Sequence, residues 1–245
     1  MLDKSAFSEA IDYVLQDEGR ITAAVVPGLF QYRAGEQPLD ARFRTRHRIE
    51  AVWRLWATAD VHALALAAML REDYDAARMW SDYLAAEIKL DKLILQEAAQ
   101  YDVDEARVRG TPPLRSTVLM VESMLRAVFA MGSTPSVVYA VMVEWHWLRT
   151  SVLPAERVKD DVGQEFIRAI AAHPEFPAIK DHANLALEVA HRQIMRRPDG
   201  LALFMNCLRN GSAFFRAYFG ELYMYGGAEV PERQAPAPAR APRGA

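Results

Sequence analysis

The chain is poor in cysteine, with Cys207 alone among 245 residues. That excludes an internal disulfide framework and a cysteine-based zinc site, and it fits a reducing compartment. Charge of one sign is also lacking: 29 Lys and Arg stand against 32 Asp and Glu, a formal net charge of -3. There is therefore no electrostatic case for nucleic acid or an anionic membrane as partner. Apolar runs such as Val137 to Val143 are far too short to span a bilayer. The first ten residues carry an acid at Asp3 and no apolar core followed by a small-residue cleavage site, so no signal peptide is expected. A soluble, cytoplasmic protein is the expectation. No stretch of alternating β-branched residues reads as a strand, and no repeat of solenoid length is visible.

What the chain does have is a 51% hydrophobic composition, enough for one well-buried core, and helical periodicity from end to end. The spacing predicts an all-α protein, with helices over Ser5 to Asp17 (stopping at Gly19), Asp40 to Trp56, Asp60 to Arg71 and Tyr74 to Gln100. Others are predicted from Thr111-Pro112-Pro113 to Ala130, Ser136 to Ser151, Ala155 to Ala172, Pro177 to Arg197 and Gly200 to Tyr223. Pro27-Gly28 and Gly35 to Pro38 punctuate the first long connection. Residues 1–229 form one helical domain, and the Pro/Ala/Arg-rich tail over 230–245 cannot bury enough apolar surface to fold.

Three of these helices carry acids where a packed bundle should not want them. Glu87 and Asp91 lie one turn apart and can point the same way, although Lys89 and Lys92 also fit a solvated face. Glu144 follows seven apolar residues, and a carboxylate inside such a helix must be paired, protonated or metal-bound. The competing reading is an exposed stripe in which Glu144 pairs with Arg149. In the segment Asp181 to His191, Asn184, Glu188 and His191 fall at i, i+4 and i+7 on one helix face. Glu188 and His191 also form a Glu-x-x-His, a spacing that offers a carboxylate and an imidazole to one metal ion.

His182 is nine residues from His191 and so on the opposite azimuth, which reads as a surface or capping histidine. His146 points away from Glu144, and Glu122 is a lesser candidate that can pair with Arg126. If the three helices surround one pocket, Glu87, Glu144, Glu188 and His191 make a hard, oxygen-rich site suited to Fe(II) or Mn(II).

The order of elements, Gly35 with the Leu39-to-Leu70 helices, Ala86 to Asp91, Pro135 to Trp147 and above all Asn184-Leu-Ala-Leu-Glu188-Val-Ala-His191 resembles the heme-oxygenase-like superfamily. That group includes type II thiaminases, pyrroloquinoline quinone synthase and the heme-oxygenase-like diiron oxidases. The resemblance covers about residues 5 to 223 and implies a single heme-oxygenase-like helical bundle. Position by position it implies Glu87 as the first glutamate ligand, Glu144 as the mid-chain glutamate, Glu188 in place of the aspartate and His191 as the final histidine. Two departures stand out. Asn184 occupies a histidine position, and the histidine expected after Glu87 is absent, with Asp91 as a substitute ligand. One or two iron ions are implied.

The leading expectation is a non-heme iron oxidase or oxygenase that activates dioxygen. It would oxidise a small amine, amino acid or fatty-acid-like substrate in the biosynthesis of a specialised metabolite or cofactor. Asn184, Trp145 and Tyr83, with Trp147, Phe214 and Phe215, are candidate substrate contacts, and plain core packing is the competing account. A metal-free enzyme of the same fold, a thiaminase-like hydrolase or cofactorless oxidase, is the alternative; so is a non-catalytic small-molecule-binding protein. Thiaminase-like chemistry would want a cysteine where Glu144 stands. A homodimer is compatible with the sequence.

Overall fold

The computed structural model describes residues 3–26, 41–151 and 176–227; the side chains of residues 97, 145–151, 176–181 and 225–227 are not among those described. Among the described residues every regular element is helical, as an all-α bundle requires. The predicted helix Ala155 to Ala172, Gly35 and the 230–245 tail lie outside them.

Helix α1 spans Lys4–Val25, opened by the Asp3 carboxylate, which accepts from the Ala6 amide at 2.9 Å. This is the side-chain cap that satisfies an otherwise unpaired amide of the first turn. Phe7, Ile11 and Leu15 repeat every four residues and are buried. The expected stop at Gly19 does not occur. Glycine in a helix costs only about 1 kcal/mol, and the turns on either side are held. Glu18 pairs with Arg216, and Thr22 and Val26 are buried.

A second departure is larger. The two helices expected over 40–71 are one 32-residue helix, α2 (Ala41–Glu72). The Thr58 hydroxyl donates to the Arg54 carbonyl at 2.7 Å, so this polar residue is satisfied within the helix instead of breaking it.

Only Asp73 separates α2 from α3 (Tyr74–Ala98), and it caps α3 by accepting from the amides of Asp75 and Ala76. The turn makes α2 and α3 a packed pair. A 3-10 turn follows at Ala99–Tyr101, then a short α4 (Glu105–Gly110) that the periodicity does not predict. Helix α5 covers Arg115–Met131, so Pro112 and Pro113 precede the helix instead of opening it. Gly132, at φ +82°, ends α5 where the Glu72 carboxylate approaches so closely that a Cβ would collide with it.

Helices α6 (Thr134–Ser151), α7 (Phe176–Arg196) and α8 (Gly200–Gly227) complete the bundle. Helix α7 packs on α6 and α3, and α8 on α6, α2 and α1. The main core gathers side chains such as Phe7, Met69, Trp80, Met120, Met142, Phe204 and Leu208. A smaller cluster around Val52, Val103 and Val108 fills the far end of α2. Among the described residues no helix is long and apolar enough to cross a membrane.

Candidate metal centre

Helix α3 turns one face inward through Ala76, Trp80, Tyr83 and Glu87, all buried. The steps of four, three and four follow the helical period, so Glu87 comes with the apolar stripe. Helix α6 is buried throughout Val137 to Met142, and Glu144 lies at its inner side, 5% exposed. Helix α7 buries a stripe of small and apolar residues, Ala186, Val189 and Ala190, that ends at the polar Gln193, and one turn before Ala186 that stripe begins with His182.

Three helices thus bring Glu87, Glu144 and His182 together. One ligand atom from each can be chosen so that all lie within 4.8 Å of one another. His182 Nδ1 is 3.7 Å from Glu87 Oε1 and 3.9 Å from Glu144 Oε1.

Burial pushes the Glu87 carboxyl up to about 7. Burial and the neighbouring Glu87 push Glu144 up to about 8, against a hydrogen bond from Tyr83 that favours its ionised form. Two carboxylates this close in an apolar interior cannot both stay ionised without a cation. Protons or a divalent metal must compensate them. Two hard oxygen donors and one imidazole form a donor set that suits Fe(II) or Mn(II), and the charge of such an ion would neutralise both carboxylates.

Around the triad lies a polar and aromatic shell. The Tyr83 hydroxyl donates to Glu144 Oε1 at 3.4 Å, and its ring stacks on Trp80 at 4.7 Å and meets the His182 ring at 5.4 Å. His62, from α2, packs edge-on against Trp80 and Tyr83. Its Nδ1 contacts the Ser136 hydroxyl at 2.8 Å, while its Nε2 is enclosed with no hydrogen-bond partner among the described residues. Burial pulls His62 down to about 3, so the ring is neutral. Burial likewise raises Tyr139, which sits against His62, to about 12.

The other predicted site residues are placed elsewhere. Glu188 faces α1, where Lys4 Nζ donates to its Oε2 at 2.6 Å and holds its carboxyl below the ordinary range. His191 lies on the same side against Phe7, with ring centroids 5.8 Å apart. The Glu-x-x-His pair is real as a helix face, but that face looks at α1 and not at Glu87 and Glu144. Asn184 is exposed. Asp91 accepts from Trp56 Nε1 at 3.2 Å, in the smaller cluster beyond the site. Glu122 is exposed and Phe215 buried. Trp145 and Trp147 have side chains outside the described set.

His182 is the correction that matters most. The half-turn separation from His191 holds, but it is the His182 side that faces the bundle interior. The small-residue stripe running back from Gln193 through Ala190 and Ala186 was the signal. His62, Arg54, Glu50 and Arg46 were also missed, although they and Thr58 recur every four residues along α2.

No protein-family model matches the chain, and no characterised protein matches it either, so the site stands on its own geometry.

Proposed function

We propose that this protein is a metal-dependent oxidase or oxygenase of heme-oxygenase-like architecture, with a single Fe(II), or alternatively Mn(II), held by Glu87, Glu144 and His182. The observation that carries the proposal is the buried convergence of two carboxyls and one imidazole from three helices. An isolated buried charge is too costly to keep without a purpose or a partner. One ion is favoured over two because Glu188, His191 and Asp91 are occupied elsewhere.

When bound, the ion would supply a redox-active Lewis acid with coordination positions left for dioxygen and substrate. The residues have their own tasks. Glu87 and Glu144 are protonated or nearly so in the metal-free state and must release protons to become ligands. Tyr83 holds Glu144 in orientation by donating to its Oε1. Trp80 and neutral His62 fix the Tyr83 ring from two sides and keep water from the carboxylates.

A second reading rests on the same two carboxyls. Groups titrating near neutrality are what proton-transfer chemistry uses, so a metal-free enzyme is the alternative. A thiaminase-like version is disfavoured, because burial raises the Cys207 thiol and keeps it from the thiolate form.

Anaerobic Fe(II) titration of the purified protein, with metal content quantified, separates the two. Stoichiometric binding that is lost in His182→Ala and kept in His191→Ala supports the metal reading. Absence of binding by the wild type sinks it in favour of the metal-free one.

A further inference from the structure

Arg54 lies on α2 two turns before His62, and its guanidinium sits 4.2 Å from the centroid of the Tyr218 ring. It interacts with the hydroxyls of Tyr218 and Tyr139. Its Nη1 is enclosed and has no hydrogen-bond partner among the described residues. The carboxylate one turn away, Glu50, is already engaged by Arg46 at 2.6 Å, by the Thr117 hydroxyl at 2.5 Å and by the Leu114 amide at 2.9 Å. Among the described residues Arg54 therefore has tyrosines but no carboxylate to itself. A half-buried cation and an enclosed unmade donor both carry a free-energy cost. The two phenols offset burial and raise the Arg54 guanidinium above its ordinary range, but burial keeps both of them neutral, so neither supplies a negative charge.

The position of this cation gives the cost a use. Tyr139 is the shared neighbour of the two charged regions: its hydroxyl feels the Arg54 guanidinium and also the Glu87 carboxyl. Phe215 stacks on the Tyr139 ring at 5.9 Å and supplies an apolar wall. A guanidinium carries its donors in its own plane, in the fork that matches a carboxylate. One cation calls for one negative charge. A phosphate dianion would overcompensate it in a region that already contains Glu50 and Glu87.

We infer that Arg54 anchors the carboxylate of a small organic acid whose apolar body packs against Tyr139 and Phe215, next to the Glu87/Glu144/His182 centre. The inference rests on the proposed oxidase and narrows its substrates to carboxylate-bearing ones, amino acids or fatty-acid-like molecules, excluding simple amines.

The test uses the full-length, metal-free protein, so that it does not depend on iron. Side-chain 15N NMR of the arginine guanidinium groups, with the Arg54 signal assigned by its loss in Arg54→Lys, is followed during addition of phenylacetate or octanoate. The uncharged phenylacetamide and octanamide and inorganic phosphate serve as comparisons. A saturable shift of the Arg54 signal with at least one acid, and none with its amide, is the expected result. Calorimetry should show that affinity for that acid falls about thirtyfold or more in Arg54→Met, the loss expected when one partner of an enclosed charge pair is removed.

Failure of both acids to move the signal, binding that persists in Arg54→Met, or a preference for phosphate would overturn the inference. So would a purely structural Arg54, which would show a lower melting temperature in Arg54→Met and no response of the wild type to acid. Iron titration of the wild-type protein keeps the two proposals apart. Acid binding without iron binding refutes the oxidase and spares the anchor, and the reverse outcome refutes the anchor alone.

Discussion

His182 Nδ1 faces Glu87 Oε1 across 3.7 Å, an imidazole set against a carboxyl that burial holds near its protonated form. The gap is wider than a hydrogen bond and narrow enough for one ion to be shared.

The first prediction concerns which substitutions remove the metal. Glu87→Gln, Glu144→Gln and His182→Ala should each weaken Fe(II) or Mn(II) binding by at least about tenfold, as loss of one of few ligands does. Glu188→Ala, His191→Ala and Asp91→Ala should leave it unchanged. Isothermal titration under anaerobic conditions reads the difference, and loss of binding in His191→Ala with retention in His182→Ala would reverse the assignment.

The second concerns pH. Glu87 and Glu144 have folded values of about 7 and about 8, above the ordinary 4.5. Between 4.5 and those values the unfolded chain has released protons that the folded protein keeps, so stability falls as pH rises. The metal-free protein should therefore lose melting temperature steadily from pH 5 to pH 8, and a divalent ion should restore it at the alkaline end. Glu144→Gln should flatten the profile. A metal-free profile that rises over this range would contradict the burial of the pair.

A third prediction concerns Asp73, the single residue between α2 and α3. Burial opposes its ionisation, but hydrogen bonds from Arg192, the Ala76 amide and Arg196 outweigh that and bring it down to about 2. Its contribution is present above the unfolded value of 3.8 and is lost as pH falls through about 2. Asp73→Ala removes a helix cap and the partner of two arginines, which should cost about 2 kcal/mol in urea denaturation at pH 7.

The fourth concerns Glu50. It is fully buried and pairs with the buried Arg46. Glu50→Ala takes from Arg46 the buried carboxylate it pairs with, leaving the Pro112 carbonyl among its acceptors, and should cost about 3–5 kcal/mol. Stopped-flow unfolding or equilibrium denaturation measures it, and a change under about 1 kcal/mol would show that solvent reaches the pair.

The helical class and most element positions were legible because period 3.6 is written in residue type alone. The extent of α1 and α2 was not, because the turn before Gly19 is held by the distant Arg216 and Thr58 is satisfied by the Arg54 carbonyl of its own helix. Glu87 and Glu144 could be picked from sequence, since acids on apolar stripes are conspicuous. His182 could not be picked by the same logic. Relative azimuth on a helix follows from spacing, but which side faces the core depends on neighbours that spacing does not name. Asn184, Glu188 and His191 make a regular face, but Glu188 and His191 meet Lys4 and Phe7 of α1 there and Asn184 is exposed.

One consequence follows from the uninterrupted α2. Arg46, Glu50, Arg54, Thr58 and His62 are borne by one rigid rod, so they cannot be adjusted singly. A one-residue deletion between Glu50 and His62 would swivel everything downstream by about 100°, carrying His62 away from Ser136 while Glu50 stayed in place. The rod thus acts as a gauge between the far end of the bundle and its centre. Drift by insertion or deletion is confined to the connections outside it, and within it only substitution remains open.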